Sequence, residues 1–271
     1  MSHARKILAC GVVLGLSLGA AHSATLIHAG RVIDGVGDAA LTERTVVVDQ
    51  GRIIAIEAGY RKPGAGDTLI DLRKSTLMPG LMDMHVHLTS EYSRTSELDR
   101  FKKDAPDVAL DGAMFAERTL LAGFTTVRDL GDSFRASVAL RNAVNAGKLA
   151  GPRIFASGKS IATTGGHADP TNGWADFLGG AEVGPLQGVI NGPEQGAQAV
   201  RQRYKEGSDL IKITATGGVL SIAKNGLNPQ FTEEEIRAIV VTARDYGFKV
   251  SAHAHGPEGM KRAVRAGVDT I

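Results

Sequence analysis

The sequence predicts an α/β fold, an incomplete (β/α)8 barrel of the TIM type with strands 1–5 and the start of strand 6, preceded by a small N-terminal β subdomain. Three observations carry this expectation. After Leu88, short apolar runs alternate with longer stretches that open on proline or a capping residue and stop on glycine. That alternation implies a parallel sheet with helical cover. Histidines stand near the ends of the runs, where a (β/α) barrel carries its chemistry.

The elements follow in order. Residues 1–23 read as a secretory signal peptide: Arg5 and Lys6 precede an apolar run from Ile7 to Ala21, and Ala21-His22-Ser23 sets small residues at the cleavage positions before Ala24. A membrane anchor is the competing reading, but the run falls short of the ~20 residues a span needs. Almost nothing apolar precedes Cys10, which argues against a lipid anchor there. Cys10 is the only cysteine, so cleavage would leave neither a disulfide nor a thiol nucleophile. Residues 24–77 are expected to form the β subdomain: Thr25–Ala29 and Arg31–Ile33, then a hairpin over Val46–Ile56 turning at Asp49-Gln50-Gly51, then Leu69–Leu72. His28 in this region suits packing or the surface better than ligation.

Residues 78–271 are expected to hold the barrel. Its strands are placed at the run ending in Met84-His85-Val86-His87-Leu88, then Thr125–Leu130, Arg153–Ser157, Asp209–Thr214 and Lys249–His253, with Val268–Ile271 opening a sixth. One helix has Pro106 in its first turn and stops at Gly123; others run from Pro193 to Gly207 and from Pro257 to Gly267. Thr232 with Glu235 three residues on is a capping box for a helix that ends at Gly247. The stretch from Gly158 to Gly192 reads as a long functional or disordered loop. Composition is ordinary for a globular protein, 43% hydrophobic and 22% charged with a net charge of +2, and no Lys/Arg run suggests nucleic acid.

Chemistry is concentrated in a few residues. On a strand, positions i and i+2 face one side, so His85 and His87 project together and suit a divalent metal. Lys212 stands between Ile211 and Ile213 and shares a face with Leu210 and Thr214. A lysine on an inward face must be paired, deprotonated or chemically changed; on an outer face it needs no such explanation. His253 ends the fifth strand, and His255 follows on the same parity. His167, within Thr163–Asp169 of the long loop, reads from the residues alone as a surface histidine. Arg128 is a candidate partner for a substrate carboxylate, or for Asp129 or Asp132 in a structural ion pair.

The set Met78-Pro-Gly-Leu-Met-Asp-Met-His-Val-His87, Ile211-Lys-Ile-Thr-Ala-Thr-Gly-Gly-Val-Leu-Ser221 and Ala252-His-Ala-His-Gly256 resembles the binuclear metal-dependent amidohydrolase superfamily, and within it the imidazolonepropionase-related branch that includes Xaa-Pro dipeptidases. The resemblance implies two divalent ions, zinc by default and manganese or cobalt as alternatives. His85 and His87 would hold one, His253 the other, and Lys212, carboxylated by CO2, would bridge them. His167 and His255 would serve catalysis as substrate contacts. It implies a metal-bridging hydroxide that attacks a C–N amide carbonyl, with dipeptides or N-acyl amino acids as substrates. It makes residues 24–77 part of a composite β-sandwich.

Family members add a histidine from the sixth strand and an aspartate from the eighth, which this sequence does not contain, so the chain as given is expected to be inactive. A non-catalytic fragment or metal-binding module, or a hydrolase of cyclic amides or lactones, are the alternatives. The expected partner is a small amide or dipeptide, with no nucleic acid, no membrane after signal cleavage, and a homo-oligomer left open. The expected location is secreted or periplasmic. Mass spectrometry of the exported protein should find an N-terminus at Ala24; an intact Met1 on that form would refute the signal peptide.

Overall fold

The computed structural model describes residues 23–178, 183–221 and 224–271, without the side chains of residues 97 and 176. The expected signal peptide lies outside the described residues except for Ser23. Among the described residues no helix is long and apolar enough to cross a membrane. The chain divides into two compact units, one up to Pro79 and one from Gly80 to Ile271.

The first unit is a four-stranded sheet of β1 (Thr25–Val32), β2 (Leu41–Asp49), β3 (Arg52–Ala58) and β4 (Thr68–Leu77), in the order β3-β2-β1-β4. β1 runs antiparallel to β2 and parallel to β4. The hairpin turns where expected, with Asp49 opposite Arg52 and both Gln50 and Gly51 at positive φ. Two expected boundaries are too fine. Thr25–Ala29 and Arg31–Ile33 belong to one strand that shifts register at Gly30, where any Cβ would fall 2.3 Å from the Arg73 carbonyl oxygen. Leu69–Leu72 is the middle of a ten-residue strand. His28 is a packing residue: it is buried, its Nε2–H donates to the Arg61 carbonyl at 2.8 Å, and its ring lies 5.1 Å from that of Tyr60.

The second unit is an α/β structure. β5 (Leu81–Val86), β6 (Phe124–Asp129) and β7 (Arg153–Ala156) form one parallel sheet; β10 (Ile211–Thr214) and β11 (Val250–His253) form another. Backbone bonds beyond the strand ends join the two. Asp209 N donates to Ala156 O at 2.8 Å, and Ile161 bridges Ile213 in parallel. Ser251 bridges Thr270 in the same sense, so the segment after the last helix lies beside β11. The parallel segments thus neighbour one another in chain order. Arg128 shows how far they curl: its Nε donates to Met84 O of β5 at 2.7 Å and its Nη1 to Thr270 Oγ1 at 3.1 Å.

The helices are α1 (Ser96–Asp99), α2 (Ala105–Leu121), α3 (Ala136–Asn145), α4 (Pro193–Glu206), α5 (Glu233–Asp245) and α6 (Pro257–Ala266). α5 explains itself. Ile236, Ile239, Val240 and Ala243 recur at i, i+3, i+4 and i+7 and are buried against Ile211, Ile213 and Val250 of the strands. A second core joins Val127, Ile154 and Ala156 to Ala116 of α2 and Val138 and Leu140 of α3. α3 ends before the positive-φ Gly147, but its start carries no capping signal in the sequence. Phe134 and Arg135 precede it in left-handed conformation, and the buried Asp132 carboxylate accepts from Ser137 N in place of an ordinary cap. The expected long loop contains a two-residue parallel pairing, β8 (Ala162–Thr163) with β9 (Val189–Ile190), so its described residues are anchored at both ends.

One expectation about β5 is corrected. The strand is largely exposed: among the described residues its one paired neighbour is β6, and Leu81, Met82 and Met84 stand open to solvent. A register irregularity against β6 between Asp83 and Val86 breaks the simple i, i+2 alternation, and His87 follows the strand rather than ending it.

The capping box at α5 reaches beyond its own helix. Glu235 N donates to Thr232 Oγ1 at 3.2 Å, Thr232 N to Glu235 Oε2 at 2.8 Å, and Gly192 N, at the start of α4, to Glu235 Oε1 at 2.8 Å. Thr232→Ala should therefore cost about 1 kcal/mol. Glu235→Ala should cost more, since it strips acceptors from two helix starts; equal midpoints in urea denaturation would contradict the shared cap.

Candidate metal centre

The inner face of the strands gathers the candidate residues. Ile211 and Ile213 turn outward into the helical core, which leaves Lys212 and Thr214 on the opposite face. Parallel pairing sets Lys212 beside Ser251 and Thr214 beside His253. All four residues of β10 are buried, and Lys212 is only 3% exposed. Its Nζ lies 3.2 Å from His85 Nε2, across the curl of the sheet. Among the described residues no carboxylate lies within ion-pairing distance of this amine. Burial, reinforced by the Arg128 charge, lowers its pKa to about 8.

The imidazoles form two groups. In the first, the His85 and His87 rings meet at 5.7 Å, edge to face. His87 Nδ1 lies 2.8 Å from the Gly131 carbonyl, which can only accept. The proton therefore sits on Nδ1, and Nε2 keeps its lone pair. In the second group His253 stacks on His167 at 4.2 Å and meets His255 at 4.7 Å. His253 Nε2 donates to the Gly217 carbonyl at 3.0 Å, so here Nδ1 carries the lone pair. His85 is exposed, yet partial desolvation of its ring lowers its pKa to about 4, with help from the Lys212 charge. Burial and the neighbouring His167 do the same for His253. Both are neutral at pH 7, the state in which imidazole binds a cation.

The loops around these rings are tied to one another. His167 Nδ1 lies 2.6 Å from Ser221 Oγ, which also accepts from Gly218 N at 2.9 Å. His167 N donates to the Gln230 side chain at 2.8 Å, and His255 N to Thr216 Oγ1 at 2.9 Å. Neither Ser221 nor Gln230 is marked as a site residue by the sequence, and Thr216 is marked only as part of the loop after the fourth strand. Ser221 lies in the quoted motif, but nothing in the motif says that its hydroxyl meets a histidine more than fifty residues earlier. Arg128 forms neither of the expected ion pairs, since its guanidinium spans Met84 and Thr270.

Among the described residues no three His, Cys, Asp or Glu side chains close around one point. The donors are instead split between the His85–His87 pair with Lys212 and the group around His253. That division suits two ions better than one. The Thr214 hydroxyl, buried on the Lys212 face without a hydrogen-bond partner, is a further unused polar atom on the same wall. Neutral imidazoles with oriented lone pairs fit a divalent metal site.

The amidohydrolase family profile matches residues 76–271. The chain belongs to the amidohydrolase family. It is 33% identical over 267 residues to ochratoxinase of Aspergillus niger, covering 91% of this chain and 53% of that protein. Among solved structures, a Xaa-Pro dipeptidase with methionine bound in its active site is 54% identical with a TM-score of 0.86, over 91% of this chain and 60% of that one. A prolidase complexed with N-methylphosphonate-L-proline is 34% identical with a TM-score of 0.78, over 91% and 60%. The amidohydrolase chain described here thus spans little more than half the length of these relatives.

Gly218 tests the packing of the centre. A Cβ there would fall 2.8 Å from His167 Cε1 and 2.9 Å from His253 Nε2, closer than van der Waals contact allows. Gly218→Ala should cost about 1–3 kcal/mol as the rings are forced apart. Unchanged stability together with unchanged imidazole NMR shifts would contradict the stacked arrangement.

Proposed function

We propose that this chain is part of an exported, metal-dependent hydrolase of C–N amide bonds, acting on dipeptides of the Xaa-Pro kind or on N-acyl amino acids. The observation that carries the reading is Lys212: a buried amine with no carboxylate partner, 3.2 Å from His85 Nε2. The dipeptidase and prolidase among its relatives support the substrate class. Ochratoxinase, at 33% identity, supports a second reading in which a larger amide is cleaved. The signal-like residues 1–23 support export to a secreted or periplasmic location.

In this reading residues 78–271 are the greater part of a (β/α)8 barrel, and the exposed edge of β5 takes a further strand from the complete protein. Residues 24–77 are the N-terminal share of a β-sandwich. His85, His87 and His253 hold two divalent ions, with zinc as the default and manganese or cobalt also suited. Lys212 bridges them as a carbamate: its neutral nitrogen bonds to the carbon of CO2 and loses a proton, which leaves an anion with two donor oxygens. When bound, the metals supply a nucleophilic oxygen at neutral pH and polarise the scissile carbonyl. His167, fixed by Ser221 and stacked on His253, and His255, exposed beside it, contact the substrate. Arg128 serves as a strut across the sheet, since meeting a substrate carboxylate would require it to leave Met84 and Thr270.

The test combines metal analysis with turnover. The complete protein, expressed with bicarbonate, should contain two metals per chain and hydrolyse Xaa-Pro dipeptides or N-acyl amino acids; residues 24–271 alone should bind metal without turnover. Lys212→Ala should abolish binuclear binding and reduce activity by at least ~100-fold, the scale of losing several kcal/mol of charge stabilisation. Two metals retained with normal activity in that variant would rule out the carbamate.

A further inference from the structure

We propose that Asp129 is the positioning residue that fixes the ring of His87, a role distinct from ligand, acid or base. The inference rests on the metal-dependent reading above. Asp129 is fully buried at the end of β6. It shares parity with Val127, which packs on the helical core, so its carboxylate lies on the face of the strand opposite Arg128 and the inner wall. Both oxygens are occupied by backbone donors. Leu88 N, the residue after His87, reaches Oδ2 at 2.7 Å, and Gly131 N reaches Oδ1 at 3.1 Å.

The same glycine then closes the loop, because its carbonyl accepts the His87 Nδ1 proton at 2.8 Å. Leu130 N adds a bond to Val86 O at 3.0 Å, directly before His87. His87 is therefore held through three separate links: its own peptide through Leu88, its ring through Gly131, and the preceding residue through Leu130. Two of them pass through the Asp129 carboxylate. Gly131 has no room to be replaced, since a Cβ would fall 2.4 Å from Ser160 Oγ and 3.5 Å from His87 Cε1. With the ring pinned by Nδ1, the lone pair on Nε2 is presented toward the site in one orientation and one tautomer. Outer partners of this kind typically govern metal affinity by 10–100-fold.

Asp129→Asn keeps the shape of the side chain but turns one acceptor into a donor facing a backbone N–H. In the complete protein it should weaken Zn²⁺ affinity, measured by competition with a chromophoric chelator, by about 10–100-fold, and should populate the Nε2–H tautomer of His87 in long-range ¹H–¹⁵N NMR. Asp132→Asn is the control for burial and charge nearby, because Asp132, next to Gly131 in the chain, is also buried but caps α3 and makes no side-chain hydrogen bond to His87, Leu88 or Gly131. Wild-type metal affinity and an unchanged tautomer in Asp129→Asn would overturn the proposal, as would an equal loss of affinity in Asp132→Asn. If Asp129→Asn does not fold, the wild-type protein decides: Nδ1–H at His87 supports the role, and Nε2–H refutes it. A wild-type protein that binds no divalent metal would instead refute the functional reading, while the tautomer would still report on Asp129.

Discussion

A buried primary amine whose hydrogen-bonding neighbour among the described residues is a histidine is the constraint around which the larger unit is arranged. Enclosing Lys212 removes the water that would stabilise its charge, and the strand offers no carboxylate in return. Among its charged neighbours Arg128 opposes an ammonium ion, and the negative charge of Asp129 offsets only part of that. A chain would gain stability by replacing such a lysine with an aliphatic residue that matches Ile211 and Ile213. The position makes sense when the nitrogen is meant to be neutral and reactive, and the surrounding imidazoles are meant to stay unprotonated.

The scaffold delivers that arrangement through simple means. Outward isoleucines and valines commit one face of β10 and β11 to the helices, each worth about 1.5–3 kcal/mol of buried side chain. The opposite face is then free to carry polar groups. Loops that leave the strand ends are secured by local polar contacts rather than by bulk: Ser221 between Gly218 and His167, Gln230 on the backbone of His167, Thr216 on that of His255. The irregular register of β5 just before His87 loosens the constraint of strand parity, and Asp129 supplies the constraint that parity gives up.

Much of this was legible in the sequence. β6, β7, β10 and β11 were visible because apolar runs stood between capped or proline-led helices, and Thr232 with Glu235 marked α5 without help from tertiary structure. His85, His87, Lys212 and His253 could be nominated because each combined a coordinating atom with a strand context. Other features were hidden for identifiable reasons. α3 begins after two non-glycine residues in left-handed conformation and takes its cap from Asp132, five positions before the donor it satisfies. β8 and β9 are two residues each, too short for any period. The exposure of β5 depends on which strands flank it, a tertiary fact. Asp129 beside Arg128 looked like half of an ion pair, whereas its partners are backbone N–H groups that no side-chain pattern reveals.

Two histidines of the candidate site, each with its tautomer fixed by a carbonyl, offer opposite ring nitrogens, Nε2 at His87 and Nδ1 at His253. The distance of the donor atom from the backbone therefore differs between them. An amide side chain that imitates the farther nitrogen is glutamine, and one that imitates the nearer nitrogen is asparagine. The two positions are thus not interchangeable in chemical grammar: glutamine is the closer mimic at 87 and asparagine at 253, and a swap of those two replacements would put each oxygen one bond out of place.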